Sequence, residues 1–407
     1  MAGLNRPVQP ADLPQGRVKV ELSKVIEKLN LDKTPLLKLS QHVSKVGVGD
    51  MKFNWLTDER VSDWGTISAV GGAWAAAAAT GGTITVPVDE AWRYAEGDIL
   101  QIPYDAASPQ IKVSDNTIYV EGVVYTTGVI TAHTYDNTSL INLTGITLGA
   151  DILLYLSNTF ELGTGKGTSK SYQPTPDFNF IQIVQHPYEV VETTMHTTMD
   201  AGGEELSEQE EKALIAHEFS KEKLMFFGRK AQVDAGYMTG VYRQYFTGGL
   251  VEAISTNAVV VAGAGALTQL EFGNWVNQSI YYAENPVIFA SGMVFEGLSY
   301  WLGTTLTTEQ SENTLGIAVS TYLTQYGNKV PIIPHRELLQ KGYGSYAFCV
   351  DLKDIGYRYL NGEDTHLEVG LQANDAKLQT NEYRTWFGFY VGNEKRHGML
   401  RNVLSIT

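Results

Sequence analysis

The sequence predicts an α+β fold, in which helices and strands are mixed without a regular βαβ alternation. The first observation is a long proline-free stretch at 204–236 with the periodicity of a helix. The second is a series of short alternating stretches between residues 83 and 156, separated by Gly, Asn, Asp and Pro, which is typical of strands and turns. The third is composition, because 40 glycines and 22 tyrosines among many Thr, Val and Ile residues favour strands.

The predicted helix at 204–236 carries its charges in the order that a helix dipole favours, with acids in the first turns and Arg229 and Lys230 near the end. At about 100° per residue, one stripe of mostly small residues can lie close to a sheet: Leu206, Ala213, His217, Ser220, Leu224, Gly228, Ala231 and Ala235. The opposite face carries glutamates: Glu204, Glu208, Glu211, Glu218 and Glu222. Three apolar residues lie among these acids and predict cover from a second surface: Phe219, Phe226 and Val233.

Length and charge limit the class of protein. A chain of 407 residues can hold two or three domains. Its net charge of −15 argues against a surface that grips nucleic acid, because phosphate contact needs a basic patch. The single cysteine, Cys349, lies in an apolar run and is predicted to be a buried, inert thiol. We find neither a signal-peptide core nor an apolar stretch of about 18 residues that would predict a membrane span.

The N-terminal residues predict an arm. Residues 1–17 hold three prolines among small and polar residues, which indicates an extended segment. An amphipathic helix follows, with apolar residues at helical spacing: Val18, Leu22, Val25, Ile26 and Leu29. Thr34 and Pro35 then predict the start of a second helix, with threonine as the cap and proline in the first turn. Because nothing local covers the first helix, we expect it to dock elsewhere in the fold or on another subunit.

The remaining elements follow in order. Six short strands between residues 83 and 156 resemble a small barrel or sandwich inserted into the chain. After the long helix, the periodicity predicts a second helix at 268–283 and a third, shorter one near 294–302. Further strands are predicted after them, at 287–290, 317–323, 330–333, 346–352, 368–371 and 383–391.

Known binding motifs are incomplete in this sequence. The loop at 163–169 lacks the Gly-Lys-Ser/Thr order of a phosphate-binding loop, since Gly167 follows Lys166. The glycines at 262–266 are followed by Thr268 where a dinucleotide-binding fingerprint has its third glycine. The sequence therefore predicts no cofactor.

The histidines also fail to form a metal motif. His217 and Glu218 match half of a zinc-protease motif, but Lys221 occupies the position of the second histidine. His186 and His196 flank a turn and are predicted to be capping or hydrogen-bonding groups. We predict no metal and no catalytic residue, which favours a structural protein over an enzyme.

The chain has five parts in order: an arm, a long β-rich excursion, a long helix, a mixed domain and closing antiparallel strands. This order resembles that of the major capsid proteins of tailed bacteriophages, which have the Hong Kong 97 fold. The likeness covers nearly the whole chain. It is carried by Thr34-Pro35-Leu36-Leu37, Phe53-Asn54-Trp55-Leu56-Thr57-Asp58-Glu59, Trp92 to Leu100 with Gly97-Asp98-Ile99-Leu100, Asn285-Pro286-Val287-Ile288 and Val350-Asp351-Leu352.

The resemblance implies four parts. An N-terminal arm would span 1–52, and an extended E-loop would span 53–195 with a β-barrel-like insertion at 83–160. A peripheral domain would combine 196–240 and 341–407, with 204–236 as its spine helix. An axial domain would span 241–340. The insertion is larger than the two-stranded hairpin of the family's minimal members, and no lysine–asparagine pair stands out as an isopeptide cross-link.

The resemblance also implies a function. The chain would self-assemble into homo-pentamers and homo-hexamers of the icosahedral head that encloses phage double-stranded DNA, without sequence-specific binding. Assembly would occur in the host bacterial cytoplasm, and the location is the virion. Implied partners are a portal protein and decoration or scaffolding proteins, with scaffolding supplied separately or not at all. Candidate inter-subunit contacts are Val18, Leu22, Val25, Leu29, Trp92, Phe219, Phe226 and Val233.

Two alternatives come from other classes of protein. A β-rich carbohydrate-binding or adhesin-type surface protein would use Trp55, Trp74 and Trp92 as a stacking platform for sugars. An enzyme would take its acid and base from separate elements around a cleft, which sequence spacing does not identify. Large rings, sheets or shells formed by the chain alone would favour the capsid protein, and a monomer with sugar affinity would favour the binding module.

Overall fold

The computed structural model describes residues 34–58, 63–68, 83–101, 117–134, 152–163, 167, 169–197, 204–237, 242–262, 265–302, 320–324, 327–335, 338 and 342–406. The chain forms two compact units. We call Met1–Thr57 with Pro176–Thr407 the main unit, and Asp58–Thr175 the barrel unit. The predicted α+β class is confirmed, since helices and strands are mixed along the main unit.

The α-helices differ widely in length. They are α1 (Pro35–Val43), α2 (Glu192–Met195), α3 (Glu205–Phe227), α4 (Leu250–Ala253), α5 (Gln269–Ile280) and α6 (Gly292–Leu302). Helix α5 begins at a capping box, in which Thr268 Oγ1 accepts the Glu271 N–H at 3.2 Å and the Glu271 carboxylate accepts the Thr268 N–H. Short 3₁₀ turns occur at Ala91–Arg93, Leu352–Asp354 and Glu394–Arg396.

The strands are mostly short. They are β1 (Lys45–Val48), β2 (Lys52–Thr57), β3 (Trp64–Thr66), β4 (Thr83–Pro87), β5 (Asp98–Gln101), β6 (Thr117–Val124), β7 (Val129–Thr134), β8 (Ile152–Asn158), β9 (Thr175–Phe180), β10 (Gln182–Val191), β11 (Ala231–Val233), β12 (Gln244–Phe246), β13 (Ala258–Val260), β14 (Ala266–Leu267), β15 (Pro286–Ala290), β16 (Ser320–Leu323), β17 (Lys329–Pro334), β18 (Ala347–Asp351), β19 (Ile355–Leu360), β20 (His366–Val369), β21 (Leu378–Val391), β22 (Gly398–Arg401) and β23 (Ser405–Ile406).

The first sheet of the main unit lies beneath α3. Its strands follow the order β1-β19-β21-β10, and β20 also pairs with β21. Strand β21 spans 14 residues and pairs antiparallel with β10 over ten of them, from Gln182 opposite Phe387 to Val191 opposite Leu378. Helix α3 contacts β10 and β21. The long helix and this sheet share a core with α1 and α4, in which Phe226, Tyr357, Phe387 and Phe389 are buried.

The second sheet of the main unit has six strands in the order β13-β22-β18-β15-β17-β16. Helices α5 and α6 contribute Phe272, Trp275, Val276, Val294 and Leu298 to the core on one face of it. Strands β18 and β22 come from the segment 341–407, whereas their partners β15 and β13 come from 241–340. The two segments that the sequence assigns to different domains therefore share one sheet. The sequence does not predict this pairing, because strands that are distant in sequence leave no local signal of it.

The barrel unit is built on a sheet of order β3-β8-β5-β6-β7-β4. Its two outer strands are joined, because the Ser68 N–H donates to Pro87 O at 2.9 Å and the Asp89 N–H donates to Thr66 O at 3.3 Å. The sheet thus closes on itself. Its apolar residues form a core of their own, made of Ile67, Ile84, Val86, Val88, Ala91, Tyr94, Leu100, Ile118, Val120, Ile130, Ala132 and Leu153. The unit begins before the predicted insertion at 83–160, since β3 belongs to its sheet.

The predicted helix at 204–236 ends earlier than the sequence suggests. Helix α3 stops at Phe227, and β11 then pairs with β12. Gly228 is the turning point: its N–H donates to Leu224 O at 2.9 Å, and its own oxygen accepts the Gly249 N–H at 2.9 Å. A Cβ on Gly228 would lie 2.5 Å from Leu224 O and 2.6 Å from Thr247 O. The close approach of the chain before α4, together with the β11–β12 pairing, overrides the helical periodicity.

We expect Gly228→Ala to lower the free energy of unfolding of the main unit by about 1–3 kcal/mol, the usual cost of forcing an added carbon into a packed site. The matched control is Gly49→Ala, since a Cβ on Gly49 would meet no atom within 4 Å. Urea unfolding followed by circular dichroism measures both variants. Equal midpoints for the two would contradict the close packing at Gly228.

Candidate assembly surfaces

The long helix α3 is covered on more than one side. Ala213 and His217 from the predicted stripe are buried, and His217 Nε2 lies 2.7 Å from Thr385 Oγ1 of β21. Lys221, Glu222, Met225 and Phe226 are buried as well. The C-terminal half of α3 therefore faces both the first sheet and a second set of elements, which includes α1 and α4.

Glu222 is a buried carboxylate that holds the start of α1. It is fully buried, and it accepts the Leu36 N–H at 3.0 Å and the Leu37 N–H at 2.6 Å. Pro35, the first residue of α1, has no N–H, so Leu36 and Leu37 supply the first free backbone donors of the helix. His335 Nε2 lies 2.6 Å from Glu222 Oε1 and completes the site. We call these four residues, Leu36, Leu37, Glu222 and His335, the Glu222 anchor.

The Glu222 anchor corrects one prediction. Glu222 itself lies beneath α1 and the segment after β17, on the side of the helix that the sequence predicts to be covered. Thr34 does not cap α1 with its side chain, and its buried Oγ1 has no hydrogen-bond partner among the described residues. The carboxylate from α3 replaces the cap, and it places a negative charge at a helix N-terminus, where the dipole favours it.

Lys221 is the neighbouring buried cation. Its Nζ donates to Thr365 Oγ1 at 3.0 Å, and its side chain is 2% exposed. Burial lowers its pKa to about 8, although Glu218 and Asp364 act in the opposite direction. Lys221 and Glu222 therefore show that charged residues of α3 make contacts inside the fold as well as on its surface.

The predicted contact residues on and after α3 have different environments. Phe226 is 1% exposed and packs against Phe289, Phe348 and His335 of its own chain, so its prediction as an inter-subunit contact is wrong. Phe219 and Val233 are half-buried, Phe219 on α3 and Val233 on β11, so both keep apolar surface. Val18, Leu22, Val25 and Leu29 lie outside the described residues.

Trp92 is the predicted contact in the barrel unit. It is 48% exposed, and its ring meets Tyr172 edge-on at a centroid distance of 5.4 Å. The Arg93 guanidinium lies 4.8 Å from the Trp92 ring centroid and pairs with Glu90. Trp92 and Tyr172 thus form an exposed aromatic patch, and the largely buried Arg93 lies beside it. Of the other two tryptophans weighed as a sugar platform, Trp55 packs on its neighbouring rings, and Trp74 lies outside the described residues.

A pocket of about 130 Å³ lies in the main unit, lined in part by Trp55, Phe178, Lys230, Glu252 and Glu394. Its charged groups are engaged inside the protein. Lys230 Nζ donates to Phe178 O at 3.1 Å, and the Glu252 carboxylate accepts the Lys230 N–H. Glu394 accepts from the backbone and side chains of the adjacent residues 255 and 256. These groups brace the chain around the pocket.

Cys349 is buried in β18, as the sequence predicts, and burial raises the pKa of its thiol to about 12. Such a thiol carries almost no thiolate at neutral pH and is a poor nucleophile. Within the described ranges, no three His, Cys, Asp or Glu side chains come together in a way that could hold a metal ion. Among the same residues, none of the helices has the length and apolar character needed to cross a bilayer.

Sequence reasoning missed Glu222 as an anchor and the contact between His186 and His217, whose Nδ1 atoms lie 3.2 Å apart. A signal for Glu222 was present, because it precedes Phe226 by one helical turn and so shares a face with a large apolar residue. The two histidines are 31 residues apart on different elements, and no local pattern connects them.

Three solved structures are similar to this chain. The capsid of the empty GTA particle has a TM-score of 0.46 and 9% identity, covering 97% of this chain and 99% of that chain. The Microbacterium phage Oxtober96 structure has a TM-score of 0.45 and 10% identity, covering 96% of each chain. The holo-SrpI encapsulin complex from Synechococcus elongatus PCC 7942 has a TM-score of 0.41 and 14% identity, covering 56% of this chain and 76% of that chain.

No curated protein matches this sequence. One family model does, the SU10 major capsid protein, over residues 9–404. The match includes most of the predicted arm, the barrel unit and the whole of α3, and it agrees with the resemblance that the sequence motifs carry. This chain belongs to the SU10 major capsid protein family, and its role is that of a structural capsid protein.

Proposed function

We propose that this capsid protein self-assembles into homo-pentamers and homo-hexamers of an icosahedral head that encloses double-stranded DNA. The observation that carries the proposal is the family match over residues 9–404. Rings of five or six need heterologous contacts, in which different surfaces of neighbouring copies meet. An arm ahead of α1, and a barrel unit with its own core, supply surfaces suited to such contacts.

The parts of the fold are assigned as follows. The arm is 1–52, with α1 fixed to its own chain by the Glu222 anchor, and the E-loop is 53–195, with the barrel unit in place of a simple hairpin. The peripheral domain centres on α3 and the sheet β1-β19-β21-β10. The axial domain centres on the six-stranded sheet with α5 and α6, so strands β18 and β22 join it. The pairing of those two strands with β15 and β13 supports this revised boundary.

The inter-subunit contacts remain a proposal for seven of the eight predicted residues. Val18, Leu22, Val25 and Leu29 would form one apolar face of the arm. Trp92, Phe219 and Val233 are supported by their remaining exposed surface. Phe226 is withdrawn because it is enclosed in its own core.

The net charge of −15 supports packaging without adhesion, because a negative wall repels the DNA phosphates. The protein would hold the genome without sequence-specific contacts. A portal protein, and separate scaffolding or decoration proteins, would be its partners, and assembly would take place in the host bacterial cytoplasm. The role proposed here is structural, as the family match supports.

Replacing the apolar face of the arm tests the proposal. We expect the combined substitution V18S, L22S, V25S and L29S to abolish assembly while the main unit stays folded, because each serine removes up to about 1.5–3 kcal/mol of apolar burial. Light scattering and negative-stain microscopy of the purified full chain measure assembly. Circular dichroism measures folding.

The matched control replaces polar residues of the same segment, Ser23→Ala and Asn30→Ala, and should assemble like the parent. Normal shells from the quadruple variant would contradict the proposed arm contact. A parent chain that stays monomeric at every concentration would contradict self-assembly of the protein alone.

A further inference from the structure

Two histidines meet where α3 packs on β10. His186 of β10 and His217 of α3 bring their Nδ1 atoms to 3.2 Å, with ring planes at 87°. His217 is fully buried, and His186 is half-buried. The contact therefore joins the long helix directly to the longest strand pairing of the first sheet.

The other ring nitrogens are also engaged. His217 Nε2 lies 2.7 Å from Thr385 Oγ1, and His186 Nε2 lies 3.1 Å from Ser220 Oγ. The two imidazoles can share only one hydrogen between their facing Nδ1 atoms, because one nitrogen must accept. If both rings were protonated, two N–H groups would point at each other and the contact would be lost.

The groups around the two imidazoles do not supply a negative charge that would stabilise their protonated forms. From α3, Lys221 faces both rings and disfavours their charged forms. From β21, the Tyr383 ring lies tilted with its centroid 6.3 Å from that of His217, and its hydroxyl donates to Glu210, so that carboxylate is engaged with the phenol. From the segment before β20, Thr365 contributes a hydroxyl, and it bonds Lys221 and Thr385.

The pKa of His186 is lowered, first by burial and second by the charge of Lys221. The same causes, followed by His186 itself, lower the pKa of His217 to about 3. The ordinary value of a histidine is 6.5. An unfolded or opened chain therefore binds protons more readily than the packed one. The contact contributes stability that is fully present above pH 6.5 and is lost as the pH falls toward the lowered values.

We propose that the His186–His217 pair is a proton-sensitive contact that holds α3 against β10 at neutral pH and releases it on acidification. For each proton taken up on opening, the opening equilibrium rises about tenfold for each pH unit below the ordinary value. The device acts within one chain, so it does not depend on the assembly mode proposed above.

Backbone hydrogen exchange of the purified full chain between about pH 7.5 and about pH 4.5 measures the opening, after correction for intrinsic exchange rates. In the parent, we expect amides of α3 to lose protection in acid sooner than those of α5. His186→Asn keeps a neutral hydrogen-bonding group but cannot titrate. The loss of protection should therefore become less steep with falling pH, because one proton fewer is taken up on opening. His196→Asn is the matched control, because His196 is an exposed histidine next to α2. It should follow the parent.

An acid response of His186→Asn identical to that of the parent would overturn the proposal. If that variant fails to fold at neutral pH, the protonation of His217 can be measured in the unaltered chain, from the exchange of the histidine C2 hydrogens. We expect His217 to stay neutral until α3 opens. Titration of His217 near 6.5 with α3 still protected would equally overturn it.

Discussion

Glu222→Ala is expected to lower the free energy of unfolding of the main unit by about 2–6 kcal/mol, because two buried N–H donors lose their acceptor and each such loss costs about 1–3 kcal/mol. The substitution leaves the N–H groups of Leu36 and Leu37 without their acceptor, in a site from which water is excluded. His335 loses its partner at 2.6 Å as well. Because the carboxylate is what fixes the start of α1, we also expect that helix to detach from α3 first.

Chemical unfolding measures the first effect, and limited proteolysis near residues 34–44 measures the second. The matched control is Glu211→Ala, an exposed glutamate of the same helix, which should change stability by less than about 1 kcal/mol, the usual range for an exposed charged side chain. Equal stabilities of the two variants would show that the Glu222 anchor contributes nothing. A destabilised Glu222→Ala chain in which α1 stays resistant to protease would locate the loss at His335 instead.

Phe226→Ala is expected to cost about 3–5 kcal/mol, as for other large aromatic residues removed from a core. The ring lies against three rings from outside α3, with centroid distances of 5.9 Å to Phe289, 4.9 Å to His335 and 5.0 Å to Phe348. These neighbours belong to elements far apart in sequence, so the cavity cannot collapse by moving one segment. The variant should unfold earlier whether or not it is assembled.

Phe219→Ala is the comparison within the same helix. Its side chain is half-buried, and we expect a loss of about 1 kcal/mol for the isolated chain. If Phe219 contacts another subunit, its removal should weaken assembly more than folding, which concentration-dependent light scattering can separate from thermal unfolding. A larger loss of chain stability for Phe219→Ala than for Phe226→Ala would contradict the burial seen here.

Local patterns predicted the elements whose causes are local. The proline-free run after Glu204 predicted α3, and the apolar periodicity after Thr268 predicted α5, because helical spacing acts within one or two turns. The alternating runs of the barrel unit were recognised for the same reason. The end of α3 was missed, since Gly228 is held by Thr247 and Gly249, which follow it by about twenty residues.

The candidate surfaces were harder to predict, because burial depends on distant partners. Phe226 and Phe219 look alike in sequence, but only Phe226 faces residues brought in from β15 and β18. Glu222 looks like one more acid on a charged helix, and its role requires the free donors of α1. The strand pairing across residue 340 left no local signal either, since β18 and β22 find their partners in β15 and β13.

The closure of the barrel unit has a consequence for how such a protein can diverge. An open sheet exposes unpaired backbone groups at its rim, and a neighbouring chain can extend it by adding a strand. Because β3 and β4 are joined through Ser68, Pro87, Thr66 and Asp89, these two strands offer no free edge, and the described exterior of the unit presents side chains such as Trp92. Substitutions on the outside can therefore change what the unit touches without altering its backbone, so related heads could vary their exteriors while keeping one scaffold.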